Sequence, residues 1–179
     1  MAKNKNKVAL KNGMFLGASI IGVTLALKAL NKFDNGTILL VFSALFFLFS
    51  FIAIIQGKKH LGNKSFRDSF STGFKTTVFG ALIVGIWTYI FFTFIDPDLL
   101  IEIRDNEIDV IIKDIAVKRK EGIEFTQEQI DKGIAQMKQF MSPQSLGVKI
   151  GFFTIILGAI TSLVTTTLSE LIWMRNAKR

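Results

Sequence analysis

Four long stretches of the chain consist almost wholly of apolar residues, and the charged residues cluster between them. Soluble proteins rarely expose runs of this kind, whereas a bilayer requires them. A helix rises about 1.5 Å per residue, so about 20 apolar residues cross a hydrocarbon core of about 30 Å. The pattern therefore predicts an all-α integral membrane four-helix bundle. Its transmembrane helices should cover about residues 8–28, 36–56, 74–95 and 147–172.

The first apolar stretch follows the basic residues Lys3, Lys5 and Lys7, an order that signal peptides share. No cleavage site of the Ala-x-Ala kind follows this stretch. We therefore expect a retained transmembrane helix, and the mass of the mature protein would distinguish the two alternatives.

Lysines and arginines lie mainly at the N-terminus, between the second and third stretches, and at the C-terminus. The long segment after the third stretch has few basic residues near its ends, namely Arg104, Lys138 and Lys149. Positive charge marks the cytoplasmic side of membrane proteins, and four spans place the three basic regions on one side. We therefore predict that both termini are cytoplasmic and that residues 96–149 lie on the outer side.

Both prolines of the chain follow residues that cap helix N-termini well, Asp96 before Pro97 and Ser142 before Pro143. We expect the third span to end at Asp96, and a new helix to begin at Pro97 and to run to about Lys120. Its first turn carries acidic residues, which the helix dipole favours at this end.

A second extramembrane helix should begin at Thr126, because the Thr-Gln-Glu-Gln sequence is typical of a capping box. Glu121-Gly122 is a plausible stop between the two helices. Two amphipathic helices joined by a short turn usually form an αα-hairpin. The sequence therefore predicts an extramembrane hairpin over about residues 97–141, between the third and fourth spans.

Apolar residues recur at helical spacing on both helices of the hairpin and define a candidate contact face. These residues are Ile108, Ile111, Ile112, Ile115, Ile130, Ile134 and Met137. In one interpretation the two faces simply pack on each other. In the other, the longer first helix has more apolar positions than the second can cover, so the hairpin also docks onto another molecule.

The fourth span carries a seam of small and hydroxyl residues at helical spacing. The seam consists of Gly151, Thr154, Gly158, Thr161, Ser162, Thr165 and Ser169. Small residues allow close approach between helices in lipid, where the hydrophobic effect does not drive association. The seam is therefore either the packing face of the bundle or the lining of a polar path.

Two charged residues lie at the edges of the apolar zones: Lys75 opens the third span and Glu170 closes the fourth. An unpaired charge deep in a bilayer costs roughly 3 kcal/mol or more, so these residues are candidates for an ion pair. The alternative is that each reaches the interface alone. No charged residue belongs at mid-membrane, which argues against a proton-coupled pump.

The chain has no cysteine and a single histidine, His60, which we interpret as a solvated loop residue. Thiol chemistry and sites built from several histidines are thereby excluded, and we predict no catalytic, cofactor-binding or metal site. The net charge of +8 raises the alternative of a nucleic-acid-binding protein. The basic residues lie at the ends of apolar stretches, however, which indicates a lipid bilayer and no nucleic acid as partner.

Several short motifs resemble those of a family of uncharacterised bacterial membrane proteins, domain-of-unknown-function family 4199, which is frequent in Bacteroidota. The motifs are the Phe-rich residues 65–75, the Phe-Ile-Asp-Pro-Asp at 94–98, the Met-Ser-Pro at 141–143, and the glycine-containing last span with its basic tail. With the spacing of the spans, the resemblance covers nearly the whole chain. It implies a small protein of the bacterial inner membrane and supplies no activity or catalytic residue.

Three functional hypotheses remain. The first is a non-enzymatic membrane protein whose outer hairpin mediates self-association or the binding of a membrane-protein partner. The second is an oligomeric small-solute transporter or channel component that uses the seam of the fourth span. The third, an enzyme, needs catalytic residue types gathered at one interface, and the sequence offers scattered acids instead.

Overall fold

The computed structural model describes the backbone of residues 2–30, 35–61 and 65–177. It describes the side chains of residues 6–30, 37–59 and 65–173. Throughout these ranges the chain is helical apart from short connections, which confirms the predicted all-α class. The helices are α1 (Ala2–Ala29), α2 (Asn35–Leu61), α3 (Phe66–Ile90), α4 (Pro97–Lys120), α5 (Gln127–Phe140) and α6 (Pro143–Ala177), with a π-helical turn at Phe91–Ile95.

Four helices of the described chain are long and apolar enough to cross a membrane, as predicted. The apolar segments are Asn6–Ala29, Thr37–Lys59, Phe66–Ile95 and Pro143–Trp173. The third and fourth are 30 and 31 residues long, longer than the sequence indicated, because each helix begins well before its charge-free stretch. The Phe-rich residues 65–75 therefore belong almost entirely to the first turns of α3.

The third apolar helix ends where the sequence predicted. The backbone N–H of Asp96 donates to the carbonyl of Phe91 at 2.8 Å, a π-helical bond over five residues. The Asp96 carboxylate then accepts from the N–H of Leu99 at 3.3 Å and caps α4. Pro97 occupies the first position of α4, where a helix needs no N–H donor.

The start of α5 has the predicted capping box. The N–H of Gln129 donates to the Thr126 hydroxyl at 3.2 Å, and the N–H of Thr126 donates to the Gln129 side chain at 2.9 Å. Gly122, with φ of 88°, turns the chain between α4 and α5 in a conformation that favours glycine. At the next junction, the Ser142 hydroxyl accepts from the N–H of Ser145 at 3.3 Å, in the first turn of α6.

The chain forms two compact units, the first of residues 1–85 and 150–179 and the second of residues 86–149. The first contains the four apolar helices except for the last residues of α3 and the first turns of α6. Its buried apolar cluster draws on α1, α2 and α3. The cluster consists of Leu16, Ile20, Phe46, Ala81 and Val84.

Glycines bring α1 and α3 of the first unit into close contact. A Cβ added at Gly13 would lie 2.5 Å from Cβ of Phe79, and one added at Gly17 would lie 2.6 Å from the Ile83 side chain. A Cβ added at Gly80 of α3 would likewise clash with the Leu16 side chain. Because the contacts advance in the same direction along both helices, α1 and α3 run parallel.

Helix α2 contributes a narrow buried stripe. Within the most apolar 18 residues of each segment, α2 has the smallest buried share of the four, 22%. Leu40, Phe47 and Leu48 are exposed, whereas Phe46 and Ile54 are buried. This exposure agrees with an α2 that faces lipid over most of its circumference.

Candidate functional site

The seam of the fourth span lies against the other helices of the first unit over most of its length. Five seam residues are buried, and Gly151 and Thr161 are half-buried. The buried ones are Thr154, Gly158, Ser162, Thr165 and Ser169. The neighbouring Thr166, which is not part of the predicted seam, is fully buried as well.

Most seam hydroxyls bond to their own helix. Thr154 donates to carbonyls of the preceding turn at 2.8 Å, and Thr165 donates to the carbonyl of Thr161 at 2.7 Å. Ser169 likewise donates to the carbonyl of Thr166 at 2.8 Å. A hydroxyl bonded to its own backbone needs no water or solute partner. This bonding favours the packing interpretation over the polar path.

Ser50 of α2 joins the seam from across the bundle. Its hydroxyl lies 3.1 Å from the Thr165 hydroxyl and 3.3 Å from that of Ser162, and all three side chains are fully buried. Helix α3 reaches the same place through Gly73, where an added Cβ would lie 2.8 Å from the Ser50 oxygen. Sequence reasoning missed Ser50 because it lies in a Phe-rich stretch, although the small residues Ala53 and Gly57 follow it at helical spacing.

A second close contact joins α6 to α3. A Cβ added at Gly158 would lie 2.5 Å from both the Cβ and the hydroxyl oxygen of Thr77. Thr76 and Thr77 are fully buried, and each donates its hydroxyl to its own helix. The seam glycine thus lets a threonine of α3 approach the α6 backbone, as small residues do in membrane helix pairs.

Glu170 forms an ion pair with Lys58 of α2, which replaces the pair with Lys75 that the sequence suggested. The Lys58 ammonium lies 2.6 Å from Oε1 of Glu170, and the two side chains are 3% and 25% exposed. The ammonium also lies 5.7 Å from the centre of the Trp173 ring, within cation–π range. The second span was predicted to end at about residue 56, but α2 continues to Leu61 and therefore includes Lys58.

Lys75 instead bonds to α1. Its ammonium donates to the side-chain oxygen of Asn6 at 3.0 Å, and the lysine is exposed. A separate polar contact joins α1 to α2, where the buried Asn12 amide donates to the Gln56 side chain at 2.9 Å. Neither contact was predicted, since each joins residues far apart in sequence that have no spacing signal.

The predicted contact face of the hairpin is unevenly covered in the second unit. Ile108 is buried and Ile112 is 46% exposed. The other five residues of that face are half-buried: Ile111, Ile115, Ile130, Ile134 and Met137. No residue of α5 is buried, so this helix of 14 residues covers α4 incompletely.

A second apolar stripe runs along α4, on the side away from Ile108 and Ile111. It consists of Ile103, Val110 and Val117, each seven residues apart, and we call it the outer stripe. Val110 is 60% exposed and Val117 is 53% exposed. The sequence predicted surplus apolar positions on α4 but did not show which residues they are.

Charges flank the outer stripe on the exposed surface of α4. Asp114 lies 2.8 Å from the ammonium of Lys118, one turn further along the helix. The hydrogen bond and the charge of that carboxylate raise the pKa of Lys118. Among the described residues, no three acidic or histidine side chains are grouped closely enough to hold a metal ion, and the side chain of His60 lies outside them.

Comparison with known proteins places the chain in a family. A model of the family described as "Protein of unknown function (DUF4199)" matches residues 11–168. No curated protein and no solved structure matches the chain. The matched region includes most of α1, all of α2 to α5 and most of α6, and it contains every motif on which the resemblance depended except the basic tail. The chain therefore belongs to this family of proteins of unknown function.

Proposed function

We propose that this multi-pass membrane protein is a non-enzymatic component of the bacterial inner membrane that self-associates through its outer hairpin, with both termini in the cytoplasm. The observation that carries the proposal is the outer stripe of α4, in which Val110 and Val117 are exposed and Ile103 is half-buried. An exposed apolar stripe on a segment rich in charges marks an interaction surface. The occupant that we propose is the α4 helix of a second copy.

The charge distribution of α4 supports a second copy in antiparallel orientation. Residues 98–109 contain five acids and one arginine, whereas residues 110–120 contain four bases and one acid. An antiparallel pair of α4 helices sets each acidic half against a basic half, while a parallel pair sets like charges together. Such complementarity selects the orientation and the partner more than it adds affinity.

The outer stripe has the symmetry that such a pair needs. Val110 lies midway between Ile103 and Val117, so a two-fold axis through Val110 pairs it with itself. The same axis sets Ile103 of one copy against Val117 of the other, as in an isologous interface. In such an antiparallel pair the two-fold axis is perpendicular to both α4 helices.

Cysteine cross-linking tests this arrangement, and the cysteine-free chain supplies a clean background. Val110→Cys in native membranes should form disulfide-linked dimers on mild oxidation, because a disulfide needs Cα atoms about 4.4–6.8 Å apart. Ala116→Cys is the matched control, since it is exposed on the same helix but lies off the outer stripe. Equal cross-linking of the two variants would reject the proposed contact.

A mixed experiment tests the orientation. Co-expressed Ile103→Cys and Val117→Cys chains should form heterodimers, because the antiparallel pair brings these positions together. Val117→Cys alone should remain monomeric, since its two copies would lie about 21 Å apart at about 1.5 Å per residue. Strong Val117→Cys homodimers without heterodimers would instead indicate a parallel pair and overturn the antiparallel arrangement.

A further inference from the structure

A basic cavity of about 320 Å³ opens between α1 and α3 of the first unit. Five residues line it: Asn6, Lys7, Leu10, Lys75 and Phe79. None of the five is acidic. The hydrogen bond from Lys75 to Asn6, at 3.0 Å, holds one ammonium at the mouth of the cavity.

The cavity is polar at one end and apolar at the other. Leu10 lies one turn beyond Lys7 along α1, and Phe79 lies one turn beyond Lys75 along α3. Because α1 and α3 run parallel, both apolar residues are displaced in the same direction, toward the middle of the apolar segments. The amines therefore lie at the membrane edge, and the apolar surface lies deeper.

We infer that this cavity binds an anionic glycerophospholipid, a function separate from the proposed self-association of the hairpin. Its phosphate lies between the ammonium groups of Lys7 and Lys75, and an acyl chain lies against Leu10 and Phe79. Basic pockets between transmembrane helices are known to suit anionic headgroups. A free phosphate has the same headgroup chemistry but gains nothing from the apolar end, so the cavity favours the lipid.

Native mass spectrometry of the full chain in detergent tests the site. Dioleoyl phosphatidylglycerol should bind at lower concentration than dioleoyl phosphatidylcholine, which carries no net charge. Lys7→Gln and Lys75→Gln should each weaken phosphatidylglycerol binding about fivefold, the equivalent of about 1 kcal/mol per lysine near an anionic headgroup. Lys11→Gln is the matched control, because Lys11 is exposed on the same helix but does not line the cavity, and it should bind as the wild type does.

Two further experiments distinguish a bound lipid from a bound free anion. Leu10→Trp should weaken phosphatidylglycerol binding because it fills the apolar end and leaves both amines in place. Inorganic phosphate at millimolar concentration should not displace the lipid. The inference is overturned if phosphate competes and Leu10→Trp has no effect, if phosphatidylcholine binds equally well, or if Lys11→Gln weakens binding as much as Lys7→Gln does.

Discussion

The buried ion pair between Lys58 and Glu170 gives a prediction whose sign depends on which partner is removed. Lys58 is almost fully enclosed, at 3% exposure, while a quarter of the Glu170 side chain reaches the surface. Lys58→Met leaves a carboxylate that reaches the protein surface near the end of the apolar segment of α6, where the sequence predicts the membrane edge. Glu170→Gln leaves an ammonium that water hardly reaches. We therefore expect Glu170→Gln to be the more destabilising change.

The magnitudes follow from the cost of an uncompensated charge. Breaking a buried ion pair costs about 3–5 kcal/mol, whereas an exposed pair contributes at most about 1 kcal/mol. Glu170→Gln should lower the free energy of unfolding by about 3 kcal/mol, near the bottom of the buried range, because the Trp173 ring retains some attraction for the ammonium. Lys58→Met should lower it by about 1 kcal/mol, because the remaining carboxylate reaches the surface at the predicted membrane edge.

The assay is reversible unfolding in mixed micelles with a rising fraction of SDS, followed by tryptophan fluorescence, which Trp173 beside the pair makes sensitive to this region. The double variant Lys58→Met, Glu170→Gln should be more stable than Glu170→Gln alone, since it leaves no buried charge. Lys59→Met is the control, because Lys59 is exposed one residue further along α2. Equal losses for the two single variants, or a purely additive double variant, would refute the reasoning.

Two further predictions concern the seam. Gly158→Ala should destabilise the protein by about 1–3 kcal/mol, because the added methyl group clashes with the buried Thr77. Gly22→Ala is the control, since its methyl group meets no atom within 4 Å, and equal unfolding midpoints of the two variants would contradict the close contact. Thr165→Cys should resist a water-soluble maleimide in membranes permeabilised on both sides, while Lys59→Cys should react, because Thr165 is fully buried and Lys59 is exposed. Rapid labelling of Thr165→Cys would instead favour the polar path.

The helix starts after Asp96 and Thr126 were predictable because they depend on local chemistry. Asp96 before Pro97 and the capping box at Thr126 fix helix starts through bonds that span three residues. The number of apolar helices was equally predictable from the sequence, since a bilayer requires a minimum length and hydropathy of each helix separately. These features need no knowledge of which helix lies beside which.

The partners across the bundle were not predictable for the opposite reason. Glu170 pairs with Lys58 because α2 continues one turn past its charge-free stretch, and no local signal marks that extra turn. Ser50 meets Thr165 across 115 positions of sequence, and only the packing of three helices brings them together. Periodicity identifies a face of a helix but does not identify the neighbour of that face.

The proposed function depends on the charge pattern of α4, which the sequence shows, and on the exposure of its apolar residues, which the structure shows. The sequence alone shows that the first half of α4 is acidic and the second half basic. Those charges could, however, have paired with α5 within one hairpin. In the structure, Val110 and Val117 are exposed between those charges, so the charge pattern supports pairing with a second copy. In the first unit, by contrast, the seam hydroxyls bond mainly to their own helix. We therefore expect the surface that binds a protein partner to lie on α4, outside the four apolar helices.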